Sequence, residues 1–210
     1  MFPGYEFYKN LNVDDIYAQG HGLKESDGGL FGEYRNLYEL EVPNRVLVIG
    51  SGTGLIPIIF SNIASYFGNP ISIDLVDAIL PNVGYGGPHD AGGWIYPDSV
   101  LNRKYPKIVC HYQKSIDFFS SLQFYEETGI KIYDWIYVDG DHSLEGVSED
   151  LLNSSKHIET KGSILLHDFN LRSVVEATSK FLDTTDWKLY KQSKIGAGLG
   201  IIKHKEATLL

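Results

Sequence analysis

The chain has 210 residues, and 43% of them are hydrophobic. This length fits one domain, with or without an added arm, and the apolar content supports a large core, which excludes disorder as the general state. The 18 basic and 27 acidic side chains give a net charge of -9. Such a charge would repel a phosphate backbone and therefore disfavours nucleic acid as a partner.

The sequence shows no sign of export or of membrane insertion. Cys110 is the single cysteine, so no intrachain disulfide can form, and the first residues lack the basic and apolar stretches of a signal peptide. No apolar run approaches the roughly 20 residues that cross a bilayer. We therefore expect a cytoplasmic protein without a membrane partner.

Residues 1–43 are predicted to form an N-terminal arm or cap, because glycines interrupt any helical period there. Residues 44–210 are predicted to form one domain that begins with a buried strand at 46–49. A continuous apolar run of this length is typical of a strand in a parallel sheet. Runs of the same kind predict four further strands, at 71–77, 107–112, 135–138 and 163–166.

Segments of helical length and period alternate with these strands, and they lie at 55–67, 115–127, 144–158 and 171–182. Two extended stretches then predict an antiparallel hairpin at 187–191 and 199–203. The alternation predicts a doubly wound, Rossmann-like α/β sheet, mostly parallel with an antiparallel C-terminal hairpin. In such a sheet, ligands bind beyond the carboxyl ends of the strands.

The connection between the second and third strands is glycine-rich and longer than an ordinary loop. Its aromatic side chains Tyr85, Trp94 and Tyr96 are suited to stacking on a flat or sugar-like ligand. We therefore predict a closing lid at 81–97. The isolated histidines His21, His89 and His111 are expected on the surface or as satisfied core residues.

A Gly-Ser-Gly-Thr-Gly loop occupies residues 50–54, between the first strand and the first helix of the domain. Glycines there let the backbone turn sharply and approach a ligand, whose polar groups can meet the N–H groups of the helix start. A plain tight turn is the alternative. Leu55 stands where the dinucleotide fingerprint needs glycine or alanine, which disfavours a nicotinamide or flavin enzyme.

An acid ends the second strand about 20 residues beyond this loop. Asp77 lies where a carboxylate can accept hydrogen bonds from both hydroxyls of a ribose. Asp74, inside the strand, competes less well for this role. The alternative for Asp77 is a solvated acid at a strand end.

Polar side chains also follow the fourth and fifth strands, and they are Asp139, Asp141 and His142, then His167, Asp168 and Asn170. Asp139 and Asp168, with either His167 or Asn170, have the chemistry of ligands for a divalent ion that keeps open positions for substrate. The alternative is a hydrogen-bonded cluster without a metal.

These motifs together resemble the class I S-adenosylmethionine-dependent methyltransferases, and among them the small-molecule O-methyltransferases that include metal-dependent catechol and antibiotic-sugar enzymes. The resemblance covers approximately residues 45–203 and leaves the arm and the lid outside. It rests on segments 49–54, 137–143, 165–168 and 198–202 and on Asp77. It implies a seven-stranded sheet whose final hairpin is inserted antiparallel.

The resemblance also implies S-adenosylmethionine as the cofactor, held by Gly50, Ser51, Gly52, Gly54, Asp77, Ser115 and Asp139. Asp139, His167 and Asp168 would hold Mg²⁺ or another divalent metal. His142 is the favoured general base, Asp141 is the alternative, and Asp139 lies at the reacting centre. Three residues depart from the family pattern: Val48 and Lys114, where acids are usual, and His167 in the metal pair.

We therefore expect metal-assisted O-methylation of a small polar molecule, such as a sugar or a vicinal diol. A cofactor-binding relative without catalysis is the main alternative. A nicotinamide or nucleotide-sugar enzyme and a nucleic-acid methyltransferase are disfavoured by Leu55 and by the net charge, respectively. The sequence leaves the oligomeric state open, with a homo-oligomer among the expectations.

Overall fold

The computed structural model describes residues 21–22, 28–50, 55–78 and 105–207 of the chain. In these residues the strands are β1 Arg45–Ile49, β2 Ser72–Val76, β3 Ile108–His111, β4 Tyr133–Val138, β5 Ile158–His167, β6 Trp187–Ser193 and β7 Leu199–His204. The helices are α1 Phe31–Glu41, α2 Leu55–Tyr66, α3 Ser115–Ser121, α4 Gln123–Thr128, α5 Leu144–His157 and α6 Arg172–Thr184. Among these helices, none combines the length and apolar character needed to cross a bilayer.

The described strands form one seven-stranded sheet in the order β3-β2-β1-β4-β5-β7-β6. Strands β1 to β5 pair in parallel, whereas β7 runs antiparallel to both β5 and β6. The predicted fold class is therefore confirmed, including the antiparallel hairpin. From β1 the chain proceeds outward to β2 and β3 and then returns to β4 on the other side. The boundary between β1 and β4 is thus the topological switch point, where open α/β sheets bind ligands.

Both faces of the central strands are buried, which explains their continuous apolar runs. On β1, Val46 and Val48 pack into one hydrophobic cluster with residues of α1 and α2. Leu47 and Ile49 point to the other face and pack with residues of α5 and α6. Because side chains alternate along a strand, a sheet covered on both sides needs apolar residues at every position.

Helix α1 lies in the segment where the glycines predicted no helical period. The helix begins at Phe31, so Gly28 and Gly29 precede it, and Gly32 is accommodated in its first turn. Leu30, Tyr34, Leu37 and Tyr38 are buried in the cluster that covers one face of the sheet. This part of the predicted arm is therefore packed on the core, while the division of the chain at residue 43 stays a prediction.

The helix predicted at 115–127 is divided into α3 and α4 at Leu122. The hydroxyl of Ser120 donates to the Ile116 carbonyl, and that of Ser121 donates to the Phe118 carbonyl. Serines that bond to the preceding turn compete with regular helical hydrogen bonding and often bend helices. Strand β5 also begins earlier than predicted, at Ile158, directly after α5.

A buried polar network fastens the C-terminal end of α1 to the sheet. The Glu41 carboxylate accepts hydrogen bonds from Trp135 Nε1 and from the Ser163 hydroxyl, each at 2.7 Å. Its other oxygen lies 2.6 Å from the ammonium of Lys203. Trp135, Ser163 and Lys203 are in register across β4, β5 and β7. One carboxylate therefore connects α1 to three neighbouring strands.

We predict that Lys203→Met lowers the free energy of unfolding by about 3 kcal/mol, because it leaves the Glu41 carboxylate without its countercharge in a largely buried position. The double variant Lys203→Met/Glu41→Gln should recover part of the lost stability, because the unpaired charge is then removed. Urea denaturation of the purified variants measures both effects. Lys180→Met, which breaks the exposed Lys180–Glu176 pair, is the control and should cause no measurable change. Equal stabilities for the two lysine variants would contradict the prediction.

Candidate active site at the switch point

The first residue of the glycine loop is placed where no side chain fits. Gly50 has φ +68°, and a Cβ added there would lie 2.3 Å from the carbonyl oxygen of Asp139. The two chain segments are joined by a 2.8 Å hydrogen bond from Asp139 N to the Ile49 carbonyl. Only glycine combines this conformation with this close approach. Ser51, Gly52 and Gly54 lie outside the described residues, so their predicted cofactor contacts stay predictions.

The two acids of the second strand lie at different places relative to the carboxyl edge of the sheet. Asp74 accepts hydrogen bonds from Arg45 and Tyr133, and its other oxygen lies 2.8 Å from His111 Nε2. Burial would raise the pKa of Asp74, but these hydrogen bonds outweigh burial and hold the pKa below its ordinary value. Asp77 follows the carboxyl end of β2, beside Gly50, and its amide donates to the His111 carbonyl. Asp74 thus belongs to a hydrogen-bonded network within the sheet, whereas Asp77 lies at the edge where the parallel strands end and ligands bind, and its cofactor contact stays a prediction.

Two carboxylates and two imidazoles form a closed cluster at the ends of β4 and β5. His167 Nδ1 lies 2.9 Å from Asp139 Oδ1 and 3.2 Å from Asp168 Oδ2. His142 Nε2 lies 3.3 Å from Asp139 Oδ1 and 3.2 Å from Asp168 Oδ2. Each imidazole therefore bridges both carboxylates. The structure brings together four of the predicted site residues.

Asp168 adopts a left-handed backbone conformation with φ +51°. Few residues other than glycine do so, although aspartate and asparagine tolerate it best. The conformation follows directly after β5 and turns the Asp168 carboxylate back toward His142 and His167. Strain of this kind is often found at functional sites.

The mutual contacts shift the pKa values of the cluster in favour of ionised groups. Burial would raise the pKa of Asp139, but the hydrogen bonds with His142 and His167 lower it below its ordinary value. Burial opposes charge on His167, yet Asp139 and Asp168 raise its pKa to about 9. The hydrogen bond with Asp139 raises the pKa of His142, despite partial burial. The two carboxylates are therefore balanced by two imidazoles that favour their cationic forms.

The cluster also contains the atoms that a divalent ion would need. Asp139, His142 and Asp168 each offer a ligand atom, and these atoms all lie within 4.8 Å of one another. Carboxylate and imidazole donors together suit several divalent ions. Sequence reasoning assigned His142 only as a base and did not include it in this set. His167 instead contacts both carboxylates through Nδ1, and its assignment as a metal ligand stays a prediction.

Two other predicted site residues make their hydrogen bonds outside the cluster. Asp141 accepts a hydrogen bond from the Ser143 amide at 2.9 Å, and it lies in the exposed turn that begins α5. The Asn170 side chain donates to the Gly196 carbonyl and so joins the end of β5 to the C-terminal hairpin. The structure therefore does not bring either side chain into the cluster, and the role of Asp141 as an alternative base stays a prediction.

Ser115 leads to an acid that sequence analysis missed. The Ser115 side chain, at the start of α3, is hydrogen-bonded to Asp150, which is only 3% exposed. A Cβ added to Gly140 would lie 3.3 Å from Asp150 Oδ2, so this carboxyl supports the turn that follows Asp139. Burial raises the pKa of Asp150 to about 6. The sequence signal for a buried acid of this kind is its position on the same face of α5 as the apolar residues Val147 and Leu151.

His21 is the second residue that sequence reasoning left outside the site. Its ring stacks on that of His167, with the centroids 4.6 Å apart and the planes 19° from parallel. His21 Nδ1 lies 3.3 Å from the Tyr34 hydroxyl, which in turn lies 2.9 Å from the Tyr137 hydroxyl. Burial lowers the pKa of His21 to about 3, so this ring is neutral. The predicted lid at 81–97 lies outside the described residues.

The chain belongs to the methyltransferase-domain family, whose model matches residues 47–169. This match covers the glycine loop, the acid of β2 and the whole cluster. It confirms the resemblance of the chain to methyltransferases and its assignment as an enzyme of this class. No curated protein matches the sequence.

Solved structures share the fold along nearly the whole chain. An O-methyltransferase from Bacillus cereus in complex with SAH is 13% identical with a TM-score of 0.62, covering 95% of this chain and 90% of that one. A putative O-methyltransferase from Klebsiella pneumoniae is 13% identical with a TM-score of 0.65, covering 97% and 92%. TomG, an O-methyltransferase of tomaymycin synthesis from Streptomyces achromogenes in complex with SAM, is 13% identical with a TM-score of 0.60, covering 95% and 94%. At this identity, the likeness establishes the Rossmann-like fold.

We predict that Asp150 makes stability fall as the pH rises. Its folded pKa of about 6 exceeds the ordinary 3.8, so the protonated form stabilises the fold below pH 3.8 and this contribution is lost through about pH 6. The stability gained from Asp150→Asn should therefore grow by about 2 kcal/mol between pH 4 and pH 7. Urea denaturation across this range measures the difference. The exposed Asp183→Asn is the control, and parallel curves for wild type and Asp150→Asn would contradict the prediction.

Proposed function

We propose that this methyltransferase transfers a methyl group from S-adenosylmethionine to a hydroxyl of a small polar molecule, such as a sugar or a vicinal diol, with help from a divalent metal. The observation that carries the proposal is the contact of Gly50 with Asp139 at the switch point between β1 and β4, with the four-residue cluster beside it and Asp77 following the neighbouring strand β2. S-adenosylmethionine carries a ribose, which suits the acid Asp77, and an amino acid part, which suits the close backbone approach at Gly50. The descriptions of similar structures with SAH or SAM support the choice of cofactor.

In this proposal, the residues around β1 and β2 position the donor. The turn at Gly50 lets the backbone approach the cofactor, and the Asp77 carboxylate accepts hydrogen bonds from its ribose hydroxyls. The cofactor supplies an electrophilic methyl group on a sulfonium. Asp139, whose amide is fixed to Ile49, places a carboxylate at the border between donor and acceptor. Alignment of two bound reactants can lower the barrier by roughly 7 to 11 kcal/mol.

The residues of the cluster then prepare the acceptor. Asp139, Asp168 and His142 offer the ligand atoms for a divalent ion, which would lower the pKa of a bound hydroxyl. His142 is 41% exposed at its side chain, so among the four cluster residues it is the one that an acceptor reaches most easily. We assign it proton removal, because Asp139 and Asp168 stabilise the imidazolium that forms. His142 serves either as ligand or as base in a given step.

A cofactor-binding relative without catalysis is the second candidate. The observation that favours it is the contact of His167 with both carboxylates, since these contacts must open or rearrange for a metal to bind the same oxygens. In this case the cluster would serve recognition. Turnover distinguishes the two candidates, whereas cofactor binding is common to both.

Isothermal titration with S-adenosylhomocysteine (SAH) and S-adenosylmethionine (SAM), with and without magnesium, tests cofactor binding, which both candidates require. We predict binding of both, and we expect Asp77→Ala to weaken it by about tenfold or more, because a charge-assisted hydrogen bond contributes about 1.5 to 3 kcal/mol. Asp186→Ala, an exposed acid beyond α6, is the matched control and should bind like wild type. The absence of binding to either compound would contradict both candidates, and binding of NAD instead would favour a nicotinamide enzyme.

Conversion of SAM to SAH with catechol and a panel of free sugars as acceptors tests catalysis. We predict that His142→Ala lowers kcat by about 10² to 10⁴, the usual contribution of a general base, and that added imidazole restores part of the rate. His204→Ala, at the opposite end of β7, is the control and should leave kcat unchanged. Full activity of His142→Ala would remove the proposed base, and full activity of Asp139→Ala would remove the central position given to that carboxylate.

A further inference from the structure

We propose that His21 is a positioning residue, whose ring holds His167 in place against the carboxylates of Asp139 and Asp168. The inference rests on the proposed function, because it concerns the geometry of the same cluster. It extends the site to a residue that precedes the matched methyltransferase region by 26 positions, since the family model begins at residue 47.

The first argument is the state of the His167 ring. Its Nδ1 contacts both carboxylates, but its Nε2 is buried and has no hydrogen-bond partner among the described residues. A buried polar atom without a partner destabilises the fold, so the His167 ring would gain by rotating or by admitting water. The His21 ring covers one face of His167 at 4.6 Å and is itself 1% exposed. The stack therefore opposes both rotation of the His167 ring and entry of water.

The second argument is that His21 is itself firmly held. Its Nδ1 lies 3.3 Å from the hydroxyl of Tyr34, a buried residue of α1. Its backbone lies against Gly29, where an added Cβ would come within 2.1 Å of Gly22 N and 2.6 Å of His21 C. This close backbone approach is possible only because Gly29 has no side chain. His21 is thus fixed from α1 as well as from the cluster.

The third argument concerns which part of His21 makes the contact. The face of the His21 ring covers His167, whereas its polar atom Nδ1 lies beside the Tyr34 hydroxyl. The contact that holds His167 is therefore the ring, not the hydrogen bond with Tyr34.

Two substitutions separate the ring of His21 from its hydrogen bond. His21→Phe keeps an aromatic ring but cannot accept from Tyr34, whereas His21→Gln keeps a polar group but has no ring. The readout is the NMR signal of the His167 ring N–H that faces the carboxylates, in the full-length protein with labelled histidine. His167→Gln identifies this signal, and His204→Ala is the control that should leave it in place.

We expect the His167 N–H signal to persist in His21→Phe and to be lost by solvent exchange in His21→Gln. With the most active acceptor of the catechol and sugar panel, kcat should fall by about tenfold or more in His21→Gln and stay near wild type in His21→Phe. A misplacement of about 1 Å in an active site can cost a hundredfold in rate. The affinity for SAH, measured by titration, should change little in either variant, because the described contacts of the His21 ring are with His167 and Tyr34.

Any other pattern overturns the inference. If both variants keep the signal and kcat, His21 does not position His167. If His21→Phe loses them, whether or not His21→Gln does, the ring alone is not sufficient. If the wild type neither binds SAH nor turns over, the proposed function fails, and the NMR signal still decides whether His21 holds His167. Thermal melting of each variant distinguishes a local change from unfolding.

Discussion

Two carboxylates that face each other at the end of a sheet repel unless positive charge lies between them, and this constraint organises the centre of the molecule. Asp139 and Asp168 are held together by His142 and His167, each of which contacts both acids. In the proposed reaction, the methyl donor binds where Asp139 adjoins Gly50, and the acceptor binds where His142 reaches the surface. The strand order brings the two sides together, because the switch point lies between β1 and β4.

The carboxylates of the cluster can be neutralised in two ways. Cationic imidazoles neutralise the acids when no other cation is near, while the oxygens and His142 Nε2 are close enough together to serve a divalent ion. In the proposed metal-assisted reaction, a metal and the imidazole protons would compete for the same electron pairs. Binding of one would then be linked to release of the other, and metal affinity would depend on pH.

The sheet was predictable because its strands obey a simple physical rule. Val46 to Ile49 are apolar at every position, since both faces of β1 are covered, and the same is true of most of β4 and of Ile164 to Leu166 in β5. The polar residues that end these strands were predictable for a related reason, because parallel strands bring their carboxyl ends to one edge. Asp139, His142, His167 and Asp168 could thus be assigned to one place before any distance was known.

What the sequence could not reveal depends on contacts between distant segments. His21 looked isolated because its partners, Tyr34 and His167, lie 13 and 146 positions away. Helix α1 was hidden by the glycines before it, although its buried residues at 30, 34, 37 and 38 have helical spacing. Asp150 was overlooked as one acid among several on α5, and only packing against the turn at Gly140 distinguishes it. Local patterns predict elements, whereas tertiary contacts assign such roles.

The attachment of α1 by Glu41 has a consequence for how small this enzyme can be made. A truncated chain that began at β1 would expose the apolar faces of Val46 and Val48, and it would also strip Lys203, Trp135 and Ser163 of their common acceptor. The Lys203 ammonium and the Trp135 indole N–H would then have only water as a partner on that face of the sheet. We therefore expect a stable truncated protein to begin before α1, outside the region by which the family is recognised.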